Sequence, residues 1–381
     1  MIPYGRQNIS EGDIEAVVAV LRSDWLTQGP AIPAFEAALA ARCEASHAVA
    51  VCNATAALHL ACLALGVGPG DRVWTSPNTF VASANCARYC GADVDFVDID
   101  DQTLNLSVDR LAEKLSKARI ENKLPKVVIP VHFAGRPCDM AAIAKLGAEF
   151  GFRIIEDASH AIGASYQGGP VGNCQYSDIT VFSFHPVKII TTGEGGAALT
   201  NDPALARHMA RLRSHGITRE PDEISNSAEG PWYYEQIELG YNFRTTDLQA
   251  ALGSSQLKRL DPFLRARRTS VLRYNDLLAE LPVVRPQATT DSESAWHLYP
   301  IRVHSTRRRT VFESLRADGI GVQVHYIPVH LQPDYQRLGF RAGDFPHAEA
   351  YYREAISLPL FADLTADQQN TVVAALAKAL A

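Results

Sequence analysis

Two periods of apolar and polar residues alternate along the chain. Short apolar runs, typical of buried strands, are separated by longer segments in which apolar residues recur every three or four positions, typical of amphipathic helices. Strands are predicted over residues 48–52, 72–75, 94–97, 126–131, 153–155 and 179–184. Helices are predicted over residues 10–22, 32–43, 80–89, 108–118, 140–150 and 203–214, and after Asn53 up to residue 65. This alternation favours a mostly parallel sheet covered by helices on both faces.

The pattern changes in the second half of the chain. Residues 216–231 are polar and predict a loop, and residues 248–278 predict a long helix interrupted at Asp261-Pro262. Strands are then predicted over residues 296–303 and 321–326, and helices over residues 310–318, 347–356 and 365–379. The sequence therefore predicts an α/β protein with a large domain over residues 1–251 and a smaller C-terminal α+β domain over residues 252–381.

The composition is that of a globular protein, with 47% hydrophobic and 20% charged residues. A formal net charge of −6 leaves no electrostatic footprint for nucleic acid or an anionic membrane. No apolar run reaches the ~20 residues of a membrane span, and the N-terminal residues lack a signal-peptide layout. Seven scattered cysteines without a C-x-x-C pair indicate reduced thiols and no metal site. We therefore expect a cytoplasmic protein that binds neither nucleic acid nor membranes.

Residues with catalytic potential follow two of the predicted strands. Lys188 lies just beyond strand 179–184, and Asp157 lies just beyond strand 153–155. Ligands of such sheets bind at the carboxyl ends of the strands. Burial lowers the pKa of a lysine, and the neutral amine can attack a carbonyl carbon to form a Schiff base. On this evidence alone, a solvated surface lysine remains the alternative.

The junction between strand 48–52 and the next helix is a candidate anion site. Helix N-termini present free N–H groups and the positive end of the helix dipole. Asn53 and Thr55 add polar side chains at this junction. Simple N-capping by either side chain is the alternative.

Four segments in order resemble the sugar aminotransferases of the DegT/DnrJ/StrS family. They are residues 156–161 (EDASHA), 183–188 (SFHPVK), 193–196 (GEGG) and 240–244 (GYNFR). The resemblance runs from about Tyr4 to the C-terminal helix. It implies the aspartate-aminotransferase fold of type I pyridoxal phosphate enzymes, with a three-layer α/β/α large domain and a smaller C-terminal domain.

The resemblance also implies a role for each matched residue. Lys188 forms a Schiff base with pyridoxal phosphate and moves protons, and Asp157 keeps the pyridine nitrogen protonated. Relatives often carry glutamine at the position of His160, which lies beside the cofactor. The other cofactor-binding positions are Ala54, Thr55 and Ser183 at the phosphate and Phe80 stacked on the ring.

A homodimer with shared active sites is implied as well. Asn242 would reach the phosphate of the cofactor bound to the partner subunit. Sugar dehydratases on this fold carry histidine where this chain has Lys188, so transamination is favoured over dehydration. The implied substrates are a nucleotide-linked 4-keto sugar and L-glutamate. Candidates for substrate contact are Tyr4, Arg6, Thr27, Gln28, His185, Tyr326 and His330.

Within the family, residues 25–30 (WLTQGP), 183–196 and 231–235 (PWYYE) look most like the aminotransferase of pseudaminic acid biosynthesis. That activity forms UDP-4-amino-4,6-dideoxy-N-acetyl-β-L-altrosamine. Aminotransferases that form UDP-4-amino-4-deoxy-L-arabinose or GDP-perosamine stay open as alternatives, because one methylene in an apolar pocket discriminates by only ~1–3 kcal/mol. A non-catalytic protein that binds sugar nucleotides is a remote alternative. No motif fixes axial or equatorial delivery of the amine.

Overall fold

A computed structural model describes residues 1–225, 230–287 and 291–381 of the chain. The strands are β1 (His47–Val51), β2 (Arg72–Thr75), β3 (Asp93–Phe96), β4 (Val127–Ile129), β5 (Arg153–Asp157), β6 (Ser165–Tyr166), β7 (Gly169–Pro170), β8 (Ile179–Ser183), β9 (Gly196–Thr200), β10 (Ile217–Thr218), β11 (Glu235–Gln236), β12 (Ser292–Glu293), β13 (Tyr299–Arg302) and β14 (Ala355–Leu358). The helices are α1 (Glu11–Leu21), α2 (Ala31–Cys43), α3 (Ala54–Ala64), α4 (Ala82–Tyr89), α5 (Val108–Ile120), α6 (Met140–Phe150), α7 (Pro203–Arg213), α8 (Asp247–Lys258), α9 (Leu260–Leu277), α10 (Arg308–Ala317), α11 (Pro333–Gln336), α12 (Pro346–Glu354) and α13 (Ala366–Leu380).

The centre of the fold is a seven-stranded sheet with the order β1-β9-β8-β5-β4-β2-β3. Strands β3, β2, β4, β5 and β8 run parallel, whereas β9 is antiparallel to both β8 and β1. This arrangement confirms the predicted α/β class with a mostly parallel sheet.

Both faces of the sheet are covered, because successive residues of a strand point to opposite sides. In β4, Val127 and Ile129 belong to the core under α3, α4 and α7, while Val128 belongs to the core under α5 and α6. In β8, Val181 belongs to the first of these cores, while Phe182 on the opposite face packs in a core with α2, α8 and α9. These apolar runs therefore specify a buried central layer of a three-layer structure.

The C-terminal part has a core of its own around the antiparallel pair β13 and β14. The helix predicted over residues 347–356 ends at Glu354, and the chain continues as the buried strand β14, because all of its residues face apolar neighbours. The strand predicted over residues 321–326 is reduced to a single bridge between Gln323 and Ser357. The predicted domain boundary between residues 251 and 252 falls inside α8 and stays a prediction.

Two other predicted segments differ in detail. The long helix predicted over residues 248–278 is divided into α8 and α9 at Arg259, three residues before Pro262. The loop predicted over residues 216–231 contains β10, and its residues 226–229 lie outside the described part of the chain. In the described ranges, no helix is long and apolar enough to cross a membrane.

Helix α1 is attached through a carboxylate rather than through its apolar side chains. Asp13 is fully buried, and its Oδ2 accepts hydrogen bonds from Gln256 Nε2 at 2.7 Å and Arg259 at 2.8 Å. Ile14 and Leu21, which share the apolar face of the helix, are 48% and 57% exposed in the single chain. The body of the protein thus holds α1 through Asp13, while Ile14 and Leu21 stay exposed and Val17 and Val18 are half-buried.

Strand β9 approaches the start of α3 so closely that only glycine fits at its first position. A Cβ atom on Gly196 would lie 2.5 Å from the backbone nitrogen of Ala54. This contact places the first turn of α3 beside the end of β8, since Gly196 pairs with Ser183.

We expect Gly196→Ala to lower the free energy of unfolding by about 1–3 kcal/mol, because the added methyl overpacks against rigid backbone. Urea unfolding followed by circular dichroism measures the change. The matched control is Gly68→Ala, since a Cβ atom there has no neighbour within 4 Å. Equal stability of the two variants would contradict the close approach.

Candidate active site

The N-terminus of α3 forms one end of a cavity of about 480 Å³. Asn53 caps the helix, with its side-chain oxygen accepting from the Ala56 N–H at 2.8 Å. Ala54 and Thr55, the first two residues of α3, line the cavity, which Ser183 also lines from the end of β8. Free N–H groups at a helix start, with a hydroxyl opposite, are a binding site for a phosphate group.

Lys188 enters the same cavity from the turn after β8. The turn is closed by a hydrogen bond from the Lys188 N–H to the carbonyl of His185 at 2.8 Å. Burial lowers the pKa of Lys188 from 10.5 to about 8, although the nearby negative charge of Asp157 acts in the opposite direction. A substantial fraction of this amine is therefore neutral and nucleophilic near neutral pH.

Asp157 lies at the end of β5 and is only 5% exposed. Its Oδ2 accepts from the Ser83 hydroxyl at 2.6 Å, and its Oδ1 accepts from the hydroxyl of Ser159 at 2.6 Å and from the backbone N–H of Ser159 at 3.1 Å. These donors, from α4 and from the loop after β5, fix the orientation of the carboxylate in the cavity.

Four imidazoles line the cavity, and three of them, His160, His297 and His325, interact with the charge of Lys188. Burial lowers the pKa values of His160 and His297 well below 6.5 and that of His325 to about 4, and the charge of Lys188 lowers all three further. These side chains are therefore uncharged at neutral pH. They surround the amine of Lys188 with polar but neutral groups.

The structure brings together most of the residues that the sequence singled out. The cavity is lined by Tyr4, Ala54, Thr55, Phe80, Asp157, His160, Ser183, His185, Lys188 and Tyr326. Phe80 is 59% exposed, and the centre of its ring lies 6.3 Å from that of Tyr326. The two rings are tilted by 54° to each other and line the same cavity.

Five predicted residues do not line this cavity. Arg6 lies over the ring of Phe361 at 5.2 Å. Thr27 and Gln28 contact the segment before α8 through Asp247 and Thr245. His330 is fully buried and bonds to Glu349 at 3.1 Å. Asn242 is exposed between Tyr241 and Phe243, outside the cavity of its own chain.

Other cavity residues were not predicted from the sequence. They include Ser83, Ser159, Glu194, His297 and His325. Ser159 and Glu194 lie within the EDASHA and GEGG segments, so their place in these motifs could have predicted that they line the site. Ser83, His297 and His325 come from segments without a distinctive pattern, and only the fold brings them to the cavity.

A lysine and an aspartate at neighbouring strand ends, next to a helix start that can bind a phosphate, are the groups that a pyridoxal phosphate enzyme of this α/β class requires. Residues 7–377 match the DegT/DnrJ/EryC1/StrS aminotransferase family, and the chain belongs to that family. The protein is a pyridoxal phosphate-dependent sugar aminotransferase.

Its relatives are similar over the whole chain. SpsC, a spore coat polysaccharide biosynthesis protein of Bacillus subtilis, is 39% identical over 98% of this chain and 96% of its own length. Helicobacter pylori PseC, an aminotransferase of pseudaminic acid biosynthesis, is 32% identical, with a TM-score of 0.91 over 100% of this chain and 99% of its own. The sugar aminotransferase Spr1654 of Streptococcus pneumoniae, solved with the pyridoxamine form of the cofactor, has the same identity, coverage and TM-score.

The residues of the cavity fit this cofactor. Bound pyridoxal phosphate supplies an electron sink that stabilises negative charge on the substrate carbon. The N–H groups of Ala54 and Thr55 and the hydroxyl of Ser183 offer donors for a phosphate. Asp157 offers a fixed carboxylate, and His160 Nδ1 is a buried polar atom without a partner among the described residues.

We expect covalent capture of pyridoxal phosphate by the cofactor-free protein to rise with pH to a midpoint of about 8, because the Lys188 amine loses its proton there. Brief exposure to the cofactor, borohydride trapping and mass spectrometry of the Lys188 peptide measure it. Surface lysines in the same digest are the control, since ordinary lysines titrate near pH ~10.4. A Lys188 midpoint close to theirs would contradict the buried environment.

Proposed function

We propose that this protein transfers an amino group from L-glutamate to the C4 ketone of a nucleotide-linked 4-keto-6-deoxy sugar. The proposed product is UDP-4-amino-4,6-dideoxy-N-acetyl-β-L-altrosamine, for pseudaminic acid biosynthesis. The observation that carries amino transfer is the single cavity that joins the Lys188 amine, the fixed Asp157 carboxylate and the start of α3. The choice of sugar is supported by the similarity to PseC over the whole chain.

Lys188 and Asp157 are the proposed catalytic residues. Lys188 holds the cofactor between reactions and moves a proton between two carbons during each half-reaction. Its lowered pKa suits this task, because a base acts best when its pKa lies near the working pH. Asp157 holds the proton on the pyridine nitrogen. Ala54, Thr55 and Ser183 bind the phosphate, while Phe80 and His160 position the ring.

The proposed reaction has two half-reactions that use the same site. L-glutamate first gives up its amino group and leaves as 2-oxoglutarate, and the keto sugar then receives that group. This order predicts ping-pong kinetics. Tyr4, His185 and Tyr326 line the cavity as proposed sugar contacts. Contacts from Arg6, Thr27, Gln28 and His330 stay predictions.

We also propose a homodimer with shared active sites. Among the described residues that line the cavity, Lys188 is the one cation, and Asp157 and Glu194 are carboxylates. The phosphate of the cofactor, the diphosphate of the sugar nucleotide and the carboxylates of glutamate are all anions, so further donors are required from elsewhere. The exposed apolar residues of α1, continued by Trp25 and Leu26 at 57% and 46% exposure, support a partner subunit at this face.

The cytoplasm is the proposed compartment, since all seven cysteines are free thiols in the structure.

The sugar is tested by single-turnover amination. The protein is first loaded with the amino group by L-glutamate and desalted. It is then offered UDP-4-keto-6-deoxy-N-acetyl-altrosamine, UDP-4-keto-pentose and GDP-4-keto-6-deoxymannose in separate reactions. We expect fast turnover of the first sugar alone, followed by the change in cofactor absorbance and by mass spectrometry of the product.

Lys188→Ala is the control for cofactor-dependent chemistry and should aminate none of the three sugars. Preference for either alternative sugar would contradict the proposed product and leave amino transfer standing. Lack of turnover with all three, combined with a normal glutamate half-reaction, would exclude these sugars.

We expect Asn242→Ala to weaken retention of the cofactor during dialysis, because the amide is proposed to reach the partner's phosphate site. Asn370→Ala is the matched control, since Asn370 is exposed on α13 and its side-chain oxygen accepts a hydrogen bond from Arg273. Retention equal to that of the control would count against the shared site.

A mixed dimer tests sharing directly. In a mixed dimer, one chain carries Lys188→Ala and the other carries Asn242→Ala. If each site takes Lys188 from one chain and Asn242 from the other, both changes fall in one site and the second site is intact. Random pairing should then restore roughly a quarter of wild-type activity. Absence of recovery after mixing would place both residues in the same chain's site.

A further inference from the structure

A tyrosine and two histidines form a fixed group on the wall of the cavity. The Tyr326 hydroxyl lies 3.1 Å from His160 Nε2, within hydrogen-bond distance. The ring of His160 packs against that of His297, with 4.4 Å between ring centres. The ring of Phe133 packs against the other two rings, with its centre 6.3 Å from that of His160 and 6.2 Å from that of Tyr326. The group is therefore held by packing on several sides.

The protonation of this pair follows from its surroundings. Burial raises the pKa of the Tyr326 phenol far above its usual value of 10, and the negative charge of Asp157 raises it further. The phenol consequently keeps its proton at every working pH. Burial likewise keeps His160 uncharged, so one ring nitrogen carries a hydrogen and the other a lone pair.

The free nitrogen of His160 indicates which tautomer is present. His160 is 5% exposed, and its Nδ1 has no partner among the described residues. A buried N–H without an acceptor is rarer in proteins than an acceptor without a donor. The favoured tautomer therefore has its hydrogen on Nε2 and donates it to the Tyr326 oxygen. The O–H of Tyr326 is then available to a ligand in the cavity.

We propose that the Tyr326 hydroxyl, oriented by His160, donates a hydrogen bond to the ketone oxygen of the molecule that reacts at Lys188. This inference rests on the proposed function and adds the residue that recognises the reacting oxygen. Both His160 and His325, the neighbour of Tyr326, lie close enough to feel the charge of Lys188. The Asp157 carboxylate bonds to Ser83 and Ser159, whereas the Tyr326 hydroxyl bonds to His160.

A hydrogen bond from Tyr326 to the ketone oxygen would assist the exchange of oxygen for nitrogen. When an amine replaces a ketone oxygen, the C=O bond breaks, a C=N bond forms and the oxygen leaves as water with two protons from the nitrogen. Negative charge builds on the oxygen before it is protonated. A donor aimed at that oxygen in a site of low dielectric stabilises the charge without losing its own proton. The same exchange occurs in reverse when 2-oxoglutarate is released, so Tyr326 serves both half-reactions.

Tyr326→Phe is the test of this role. We expect it to slow both half-reactions by about 100-fold or more in single turnover, since loss of one such donor costs other enzymes roughly 10²–10³-fold. Cofactor absorbance and retention should be unchanged. Tyr351→Phe is the matched control, because Tyr351 is buried behind Phe133, its hydroxyl has no partner among the described residues, and it does not line the cavity.

The role of His160 as a positioning residue is tested by a double-mutant cycle. His160→Gln keeps a donor near the Tyr326 oxygen and should retain more activity than His160→Leu. In the double variant His160→Leu with Tyr326→Phe, the rate loss should be smaller than the product of the two single losses, because both changes remove the same hydrogen bond.

The outcomes separate this inference from the proposed function. A wild-type protein that reacts with glutamate but with none of the sugars overturns the sugar assignment, while the effect of Tyr326→Phe on the glutamate half-reaction still tests the donor. Wild-type rates in Tyr326→Phe overturn the donor role. Additive losses in the double variant overturn the coupling to His160.

Discussion

The parallel pairing of β5 with β8 is the constraint on which the active site depends. Its register sets Asp157 opposite Val181, so both strands end at the same edge of the sheet. The chain leaves β5 at the aspartate and leaves β8 at the turn that carries Lys188. The return strand β9 then brings Gly196 against the first residue of α3. Three features from distant parts of the sequence thus meet at one edge because hydrogen-bonded strands hold them there.

Electrostatic balance follows from this arrangement. The lysine is surrounded by imidazoles that burial keeps neutral, and the one carboxylate beside it is already fixed by two serines. A charged histidine at any of these positions would repel the protonated form of Lys188 and so disfavour proton transfer to its amine. Neutral polar neighbours allow Lys188 to alternate between protonation states at a small energetic difference.

Much of the fold and half of the site could be predicted from the sequence. Regular apolar periods located the strands and helices of the large sheet, and Lys188, Asp157 and Ser183 lie in motifs at strand ends. Apolar period alone could not separate α12 from β14. Residues 355–358 are all buried and form a strand, although residues 355 and 356 were predicted to continue the helix. His297 and Ser83 have no local pattern, since their place in the site depends on packing between distant segments. His330 illustrates the opposite case, because its pairing with buried Glu349 cannot be inferred from its spacing to His325.

In helix α1, the residue that anchors the helix to the protein lies apart from the exposed apolar residues. Its hold on the body is a carboxylate bonded to Gln256 and Arg259, so the helix stays in place whichever side chains stand on its outer surface. Residues such as Ile14 and Leu21 can therefore vary without cost to the packing of the chain itself. Within the eleven residues of α1, the residue that anchors the helix and the residues that are exposed at its surface are therefore different positions. Such a helix can acquire a new binding preference through substitutions that leave the core unchanged.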